Sequence, residues 1–281
     1  MNTTARLAAF GGALALLAAG GFAAGTATGP VAAATGEPSE HAEMATEMAA
    51  VEELPGGLAA SAAGYTFVPA GASPEAGRFS FTITGPDGRP VTAFDVEHEK
   101  KLHLIVVRRD TAGFRHIHPD LAPDGTWSVP LTLPAAGSYR AFADFAPTGG
   151  KPMTLGADLS VAGDYRPVTY APSRTARVDG YTVELTGDLT AGKTSPLALT
   201  VSRDGVPVTD LQPYLGAYGH LVALREGDLA YLHVHPDGEP GAGPRVRFAA
   251  EVPSAGTYRL FLDFRHGGVV RTAEFTLSTG H

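Results

Sequence analysis

The stretch His103-Leu-Ile-Val-Val-Arg-Arg-Asp-Thr-Ala-Gly-Phe-Arg-His116-Ile-His118 occurs a second time as His220-Leu-Val-Ala-Leu-Arg-Glu-Gly-Asp-Leu-Ala-Tyr-Leu-His233-Val-His235. In both copies the histidines are thirteen and then two residues apart, and Pro-Asp follows. Each copy is an apolar run, a polar loop and a second short run, which is the pattern of a β-hairpin. With Arg108 to Gly113 as the loop, Val107 faces Phe114, and counting back sets His103 opposite His118. His116 lies two residues from His118 and so shares its face, because strand side chains alternate. With Arg225 to Ala230 as the second loop, His220 likewise stands opposite His235, with His233 beside it. Directly opposed β positions have Cβ atoms about 4.5–5.5 Å apart, so three imidazoles converge in each copy. A register slip of one residue would turn His103 to the other face.

The repetition runs beyond the histidines. Pro-Asp-Gly-Arg-Pro-Val-Thr (86–92) matches Arg-Asp-Gly-Val-Pro-Val-Thr (203–209), and Pro134 to Phe145 matches Pro253 to Phe264 around a shared Ala-Gly-x-Tyr-Arg-x-Phe-x-Asp-Phe. The offset is 117 residues through the histidines and 119 after them, so a two-residue indel lies beyond His235. A repeat of this length is a whole domain rather than a solenoid unit. The reading divides the chain into an N-terminal targeting segment (1–30), a linker (31–63), a first domain (64–162), a second linker (163–178) and a second domain (179–281).

Each domain reads as all-β. Short runs rich in Val, Thr, Phe and Tyr alternate with Gly, Pro and Asp-Gly turn signals. Strands are predicted near 65–69, 78–84, 90–95, 102–107, 114–118, 126–133, 138–145 and 154–161, and again near 181–186, 197–203, 207–211, 219–224, 231–235, 245–251, 257–264 and 269–277. That count predicts two tandem immunoglobulin-like β-sandwiches, with a small open barrel as the alternative. Tyr139 and Tyr258, each just after a Gly-marked corner, are expected to cap backbone as tyrosine corners.

Composition limits the chemistry. A net charge of −8 and the lack of a polybasic stretch argue against nucleic acid or anionic lipid as partner. Without cysteine, disulfides, thiolate zinc sites, iron–sulfur clusters and cysteine-ligated blue copper are excluded. Arg6 followed by the uncharged, Ala- and Leu-rich stretch Leu7 to Gly25 reads as a signal peptide or a membrane-anchor helix, either of which places the body outside the cytoplasmic membrane. In the linker, His41, Met44 and Met48 would share a helical face, a soft donor set suited to Cu(I).

The expected metal ligands are His103, His116 and His118 in the first domain and His220, His233 and His235 in the second. Sandwich topology brings Asp144 toward His103 and Asp263 toward His220, to complete the coordination or to hold an imidazole tautomer. His266 is an extra candidate, and His98 is set aside because Leu215 occupies the matching place. An all-nitrogen site favours copper, with zinc as the alternative. No nucleophile elbow, H-E-x-x-H helix or phosphate-cradling loop is present, so binding or sequestration is expected rather than catalysis. Two other readings stand beside this one. One is a tandem surface module, with structural histidines, that contacts another extracytoplasmic or membrane protein; the other is a pH-responsive module.

The layout of leader, His/Met-bearing linker and tandem domains, each with H-x12-H-x-H-P and A-G-x-Y-R-x-F-x-D-F, resembles bacterial secreted or membrane-anchored tandem β-sandwich proteins associated with heavy metals. It is loosely similar to extracytoplasmic copper carriers of the CopC and YtkA-like kinds. The resemblance implies a cupredoxin- or CopC-like sandwich and copper as cargo.

Overall fold

The computed structural model describes residues 54–238 and 241–280. The leader over 1–30 and the His41, Met44 and Met48 set lie outside them. Nineteen strands follow in chain order. The first domain holds β1 Ser61–Ala62, β2 Tyr65–Pro69, β3 Arg78–Thr84, β4 Leu102–Arg108, β5 Arg115–Ile117, β6 Asp120–Leu121, β7 Thr126–Pro130, β8 Gly137–Phe145 and β9 Met153–Val161. The second holds β10 Thr175–Val178, β11 Tyr181–Thr186, β12 Lys193–Arg203, β13 Val206–Pro207, β14 His220–Arg225, β15 Tyr231–Leu232, β16 Val234–Pro236, β17 Arg245–Val252, β18 Thr257–His266 and β19 Val269–Ser278. Among the described residues no helix is long and apolar enough to cross a membrane.

Each domain is a sandwich of two antiparallel sheets. In the first, β1-β2-β3-β7-β6 faces β5-β4-β8-β9; in the second, β10-β11-β12-β17-β16, with β13 on β12, faces β15-β14-β18-β19. Alternation in the sequence sets the faces. In β3, Phe79, Phe81 and Ile83 point inward and are at most 1% exposed, joining Phe67, Trp127 and Phe145 in the first core. Val183, Leu199, Phe248 and Phe264 do the same in the second. Tyr139 and Tyr258 cap their corners, each hydroxyl donating to a carbonyl four residues back, Ala135 O at 2.8 Å and Ser254 O at 2.7 Å.

The strands expected at 90–95 and 207–211 are not formed. These segments carry the chain from one sheet to the other, and the prolines they contain remove ladder donors. They keep only local pairings, Thr84 with Pro90 and Phe94 with Pro147 in the first domain, and the two-residue β13 in the second. Strands β1 and β10 lie in segments read from sequence as linker.

A third apolar cluster lies between the sandwiches. Ile105, Val107 and Phe142 from the outer face of one four-stranded sheet, with Phe114 just before β5, meet Val222, Leu224 and Phe261 from the other, with Leu229 from the loop between β14 and β15. Phe114 stacks on Phe261 with centroids 4.0 Å apart, and Tyr231 packs on Phe142 at 5.7 Å. In the duplication Phe114 corresponds to Tyr231 and Phe142 to Phe261, so the two contacts are one contact with the domains exchanged. The seam is therefore pseudo-twofold, like an isologous dimer interface within one chain. It explains why β4 is buried at every position. Gly57 closes one edge at φ +74°, where a Cβ would lie 2.3 Å from the Phe142 ring.

Candidate metal centre

The β4–β5 ladder pairs Leu104 with Ile117 and Ile105 with His116, which is the register expected from the loop count. His103 and His116 therefore sit on the outer face of the sheet, against the second domain, and His118 follows as the chain leaves β5. His103 Nδ1 lies 3.0 Å from His116 Nε2 and 3.2 Å from His118 Nε2. Among the described residues these three are the only His, Asp or Glu set whose ligand atoms all fall within 4.8 Å of one another.

The outer nitrogens fix the tautomers. His103 Nε2 is 3.1 Å from the Glu97 carbonyl, which can only accept, so Nε2 carries the proton and Nδ1 is bare in the neutral ring. His116 Nδ1 donates to Asp263 Oδ2 at 2.8 Å, a bond that crosses the seam, and the side chains of both residues are 5% exposed. Asp263 is steadied by Thr272, whose hydroxyl donates to Oδ1 at 2.6 Å. With Nδ1 protonated, neutral His116 presents a bare Nε2 toward the bare Nδ1 of His103. Two lone pairs 3.0 Å apart repel unless a proton or a metal cation lies between them. Two Zn–N or Cu–N bonds of about 2.0–2.1 Å, at angles between square and tetrahedral, span roughly 2.9–3.4 Å between nitrogens. The spacing fits a cation, and each oriented imidazole has the outer partner that metal-bound histidines require.

Burial, then the neighbouring His116, lowers the His103 pKa to about 3. Burial, with His116 and His103 nearby, lowers His118 to about 3 as well, and burial lowers His220 to about 4. These rings are thus neutral, ready-made ligands at ordinary pH. The sign for stability follows: the unfolded chain binds protons near pH 6.5 and the folded chain does not, so stability is full above about 6.5 and falls as pH drops toward 4. In chelator-containing buffer the melting temperature is expected to fall steadily from pH 7 to pH 4.5. A His103→Gln, His118→Gln double variant should show a flatter profile, and a flat profile in the parent protein would contradict the burial argument.

The second domain departs from expectation. Its hairpin starts in the expected register, with Ala223 opposite Leu232 and Leu224 opposite Tyr231. The chain then leaves the sheet at His233, two residues sooner than in the first domain, and β16 joins the other sheet with His235 opposite Ala249. His233 and His235 are exposed and stack on each other at 5.6 Å, so they do not converge on His220. In the sequence the two inserted residues fall between His235 and Arg245. His220 keeps the carbonyl bond of its counterpart, Nε2 donating to Tyr214 O at 2.9 Å, but its nearest imidazoles are His98 at 5.2 Å and His116 at 6.4 Å between centroids, both from the first domain, with the Tyr214 ring at 5.9 Å.

Asp144 and Asp263 stand opposite His103 and His220 in their ladders. Neither points a carboxylate at the triad nitrogens as a ligand: Asp263 orients His116, and Asp144 Oδ1 accepts from Thr154 at 3.0 Å. His266 is engaged elsewhere, with Tyr181 at 2.7 Å and Asp210 at 3.1 Å. His98, set aside from sequence, lies 6.0 Å from His103 in the same group of rings. It sits at φ 48° in a turn whose counterpart Leu215 has φ 54°, so the backbone is duplicated and only the side chain is new.

A family model described as Domain of unknown function (DUF8832) matches residues 60–163 and again 176–280. The chain belongs to the DUF8832 family. It carries two DUF8832 domains in tandem, and the triad lies at the seam between them. No curated protein matches the chain. Among solved structures it is similar to a chimeric titin Z1Z2-Z1Z2 tandem at 15% identity, covering 73% of this chain and 90% of that one with a TM-score of 0.20. It is also similar to a two-domain fibronectin type-III segment of chicken tenascin at 12% identity, 76% and 97% coverage and a TM-score of 0.21. Domains 5–6 of the S-layer protein SbsC match at 13% identity, 77% and 98% coverage and a TM-score of 0.22.

Proposed function

We propose that this DUF8832 tandem is an extracytoplasmic metal-binding protein, a carrier or sequestering module for copper, with zinc as the alternative, and not an enzyme. The observation that carries the reading is the convergence of three imidazole nitrogens at 3.0 and 3.2 Å, with two of the outer nitrogens held by the Glu97 carbonyl and the Asp263 carboxylate. His103, His116 and His118 would hold the ion. A bound Cu(II) or Zn(II) would replace lone-pair repulsion with three coordinate bonds, and three nitrogens favour copper in the divalent stability order. The apolar leader read from sequence supports a position outside the cytoplasmic membrane. Calorimetric titration of the metal-free protein with Cu(II) and with Zn(II) tests the reading. Saturable binding that disappears in a His103→Gln, His118→Gln variant is expected; no heat at micromolar metal would end it.

A second reading has its own observation. His103 and His220 make the same backbone-carbonyl bond, although only one domain gathers a triad. On that reading the histidines are architectural parts of an interaction module, and His103→Gln would lower the melting temperature without changing metal content.

A further inference from the structure

Residues 54–60, Leu-Pro-Gly-Gly-Leu-Ala-Ala, read from sequence as the end of a linker and all but the last lie outside the matched stretch 60–163. They form a strap bonded to both sandwiches. On the second domain, Tyr231 N donates to Gly56 O at 3.0 Å, on the edge of β15. On the first, Gly57 N donates to Thr154 O at 2.8 Å, Gly156 N to Ala59 O at 2.9 Å and Phe67 N to Ala60 O at 2.9 Å. The strap thus ties the edge of β15 to β9 and β2.

The sequence shapes it locally. Leu58 N donates to Pro55 O at 3.4 Å across a turn with Gly57 at φ +74°, the left-handed place that such a turn gives to glycine. Gly156 makes room on β9, since a Cβ there would lie 2.0 Å from Gly57 O. The arginine of the repeated Tyr-Arg motif grips the strap: Arg140 Nε donates to Gly57 O at 3.1 Å, and Nη2 to Gly57 O and Leu58 O at 2.6 and 2.7 Å. Its remaining bond runs from Nη1 to Asp158 Oδ1 at 3.0 Å.

These attachments are polar. No strap residue belongs to any of the three apolar clusters, and Leu54 is 69% exposed. A segment held by hydrogen bonds with little apolar burial opens at a lower free energy than the cores beside it. Arg140, Gly156 and Tyr231 would lose their strap partners in one event, which makes docking a two-state matter. The segment between the domains is pinned as well, Ser173 exchanging two bonds with Thr276 and Tyr170 lying over Arg259 at 3.7 Å. That segment is covalently joined at both ends, whereas the strap meets the second domain only through a hydrogen bond and contacts.

We propose that residues 54–60 are a detachable clasp. Docked, they fix the two sandwiches against each other; released, they let the domains shift at the seam while both cores stay folded. The clasp stands whether or not the triad holds an ion.

Hydrogen exchange on the metal-free full chain tests detachment. The Gly57, Gly156 and Tyr231 amides are expected to exchange together, at least tenfold faster than the Phe81 and Leu199 amides of the two cores; equal rates overturn the proposal. The chain has no cysteine, so Thr92→Cys and Val206→Cys, at exposed sites in the first and second domains, carry one spin label each. Adding Gly57→Val puts a branched side chain at φ +74° with its Cβ 2.3 Å from the Phe142 ring. This change is expected to free the Tyr231 amide and at least double the width of the label–label distance distribution, with the Thr276 amide still protected. Gly156→Ala blocks the same contact from β9 and is read in the same way. A freed Tyr231 amide with an unchanged distribution, or a Tyr231 amide still protected in both variants, overturns the clasp. Loss of folding in both would make the strap part of the core structure and overturn it too.

Discussion

Replacing His116 by alanine is expected to remove high-affinity copper or zinc binding at the triad, a loss of well over a hundredfold. His116 supplies one of three nitrogens, and its Nε2 is the atom closest to His103 Nδ1, at 3.0 Å. Asp263→Asn is expected to do less, about 10–100-fold, the usual cost of losing the partner that orients a metal-bound histidine. The second variant is the more telling of the two. Asp263 belongs to the other domain and touches the site only through His116 Nδ1. If the affinity of Asp263→Asn equalled that of the parent while His116→Ala lost binding, the ligand would stand and its cross-domain support would fall. Calorimetry under chelator competition measures both.

The largest expected effect on stability comes from Phe261→Ala. The ring is fully buried, stacks on Phe114 at 4.0 Å and lies in the centre of the seam. Truncating a buried phenylalanine costs about 3–5 kcal/mol, because transfer free energy is lost and a cavity is left behind. Val206→Ala, at a site 67% exposed, should leave the melting temperature where it was. Because the His116–Asp263 bond spans the same seam, Phe261→Ala should also weaken metal binding, and by the same factor bound metal should stabilise the variant less than it stabilises the parent. An affinity equal to that of the parent would show the seam and the triad to be energetically separate. Thermal melts with and without Zn(II) read both effects.

The hairpin register was legible because both constraints on it were local. A six-residue loop fixed which residues face each other, and the period of two fixed the shared face of His103, His116 and His118. The tyrosine corners were legible for the same reason. The second triad was misread because the same local pattern supports two outcomes. His233 and His235 keep the spacing, but the chain changes sheets at His233, a decision set by loop and tertiary pairing beyond the window.

The seam was missed, yet a signal for it was present. Leu104-Ile-Val-Val107 and Leu221-Val-Ala-Leu224 are unbroken apolar runs, and an antiparallel strand with one wet face would alternate. Such runs say that both faces are covered. His98 was set aside because Leu215 fills its place in the second copy, yet its ring lies 6.0 Å from His103 and 5.2 Å from His220 between centroids. At a pseudo-symmetric junction one copy can supply what the other lacks, so recurrence is the wrong filter there.

The covalent link between the two sandwiches has a consequence for how the triad behaves on dilution. Were the halves of this junction on separate molecules, the Asp263 support for His116 would come and go with protein concentration. Tethering turns that encounter into an intramolecular one, at an effective concentration set by the connecting segment alone. Capture of an ion should then remain first order in protein, with the same apparent affinity in a trace sample as in a concentrated one.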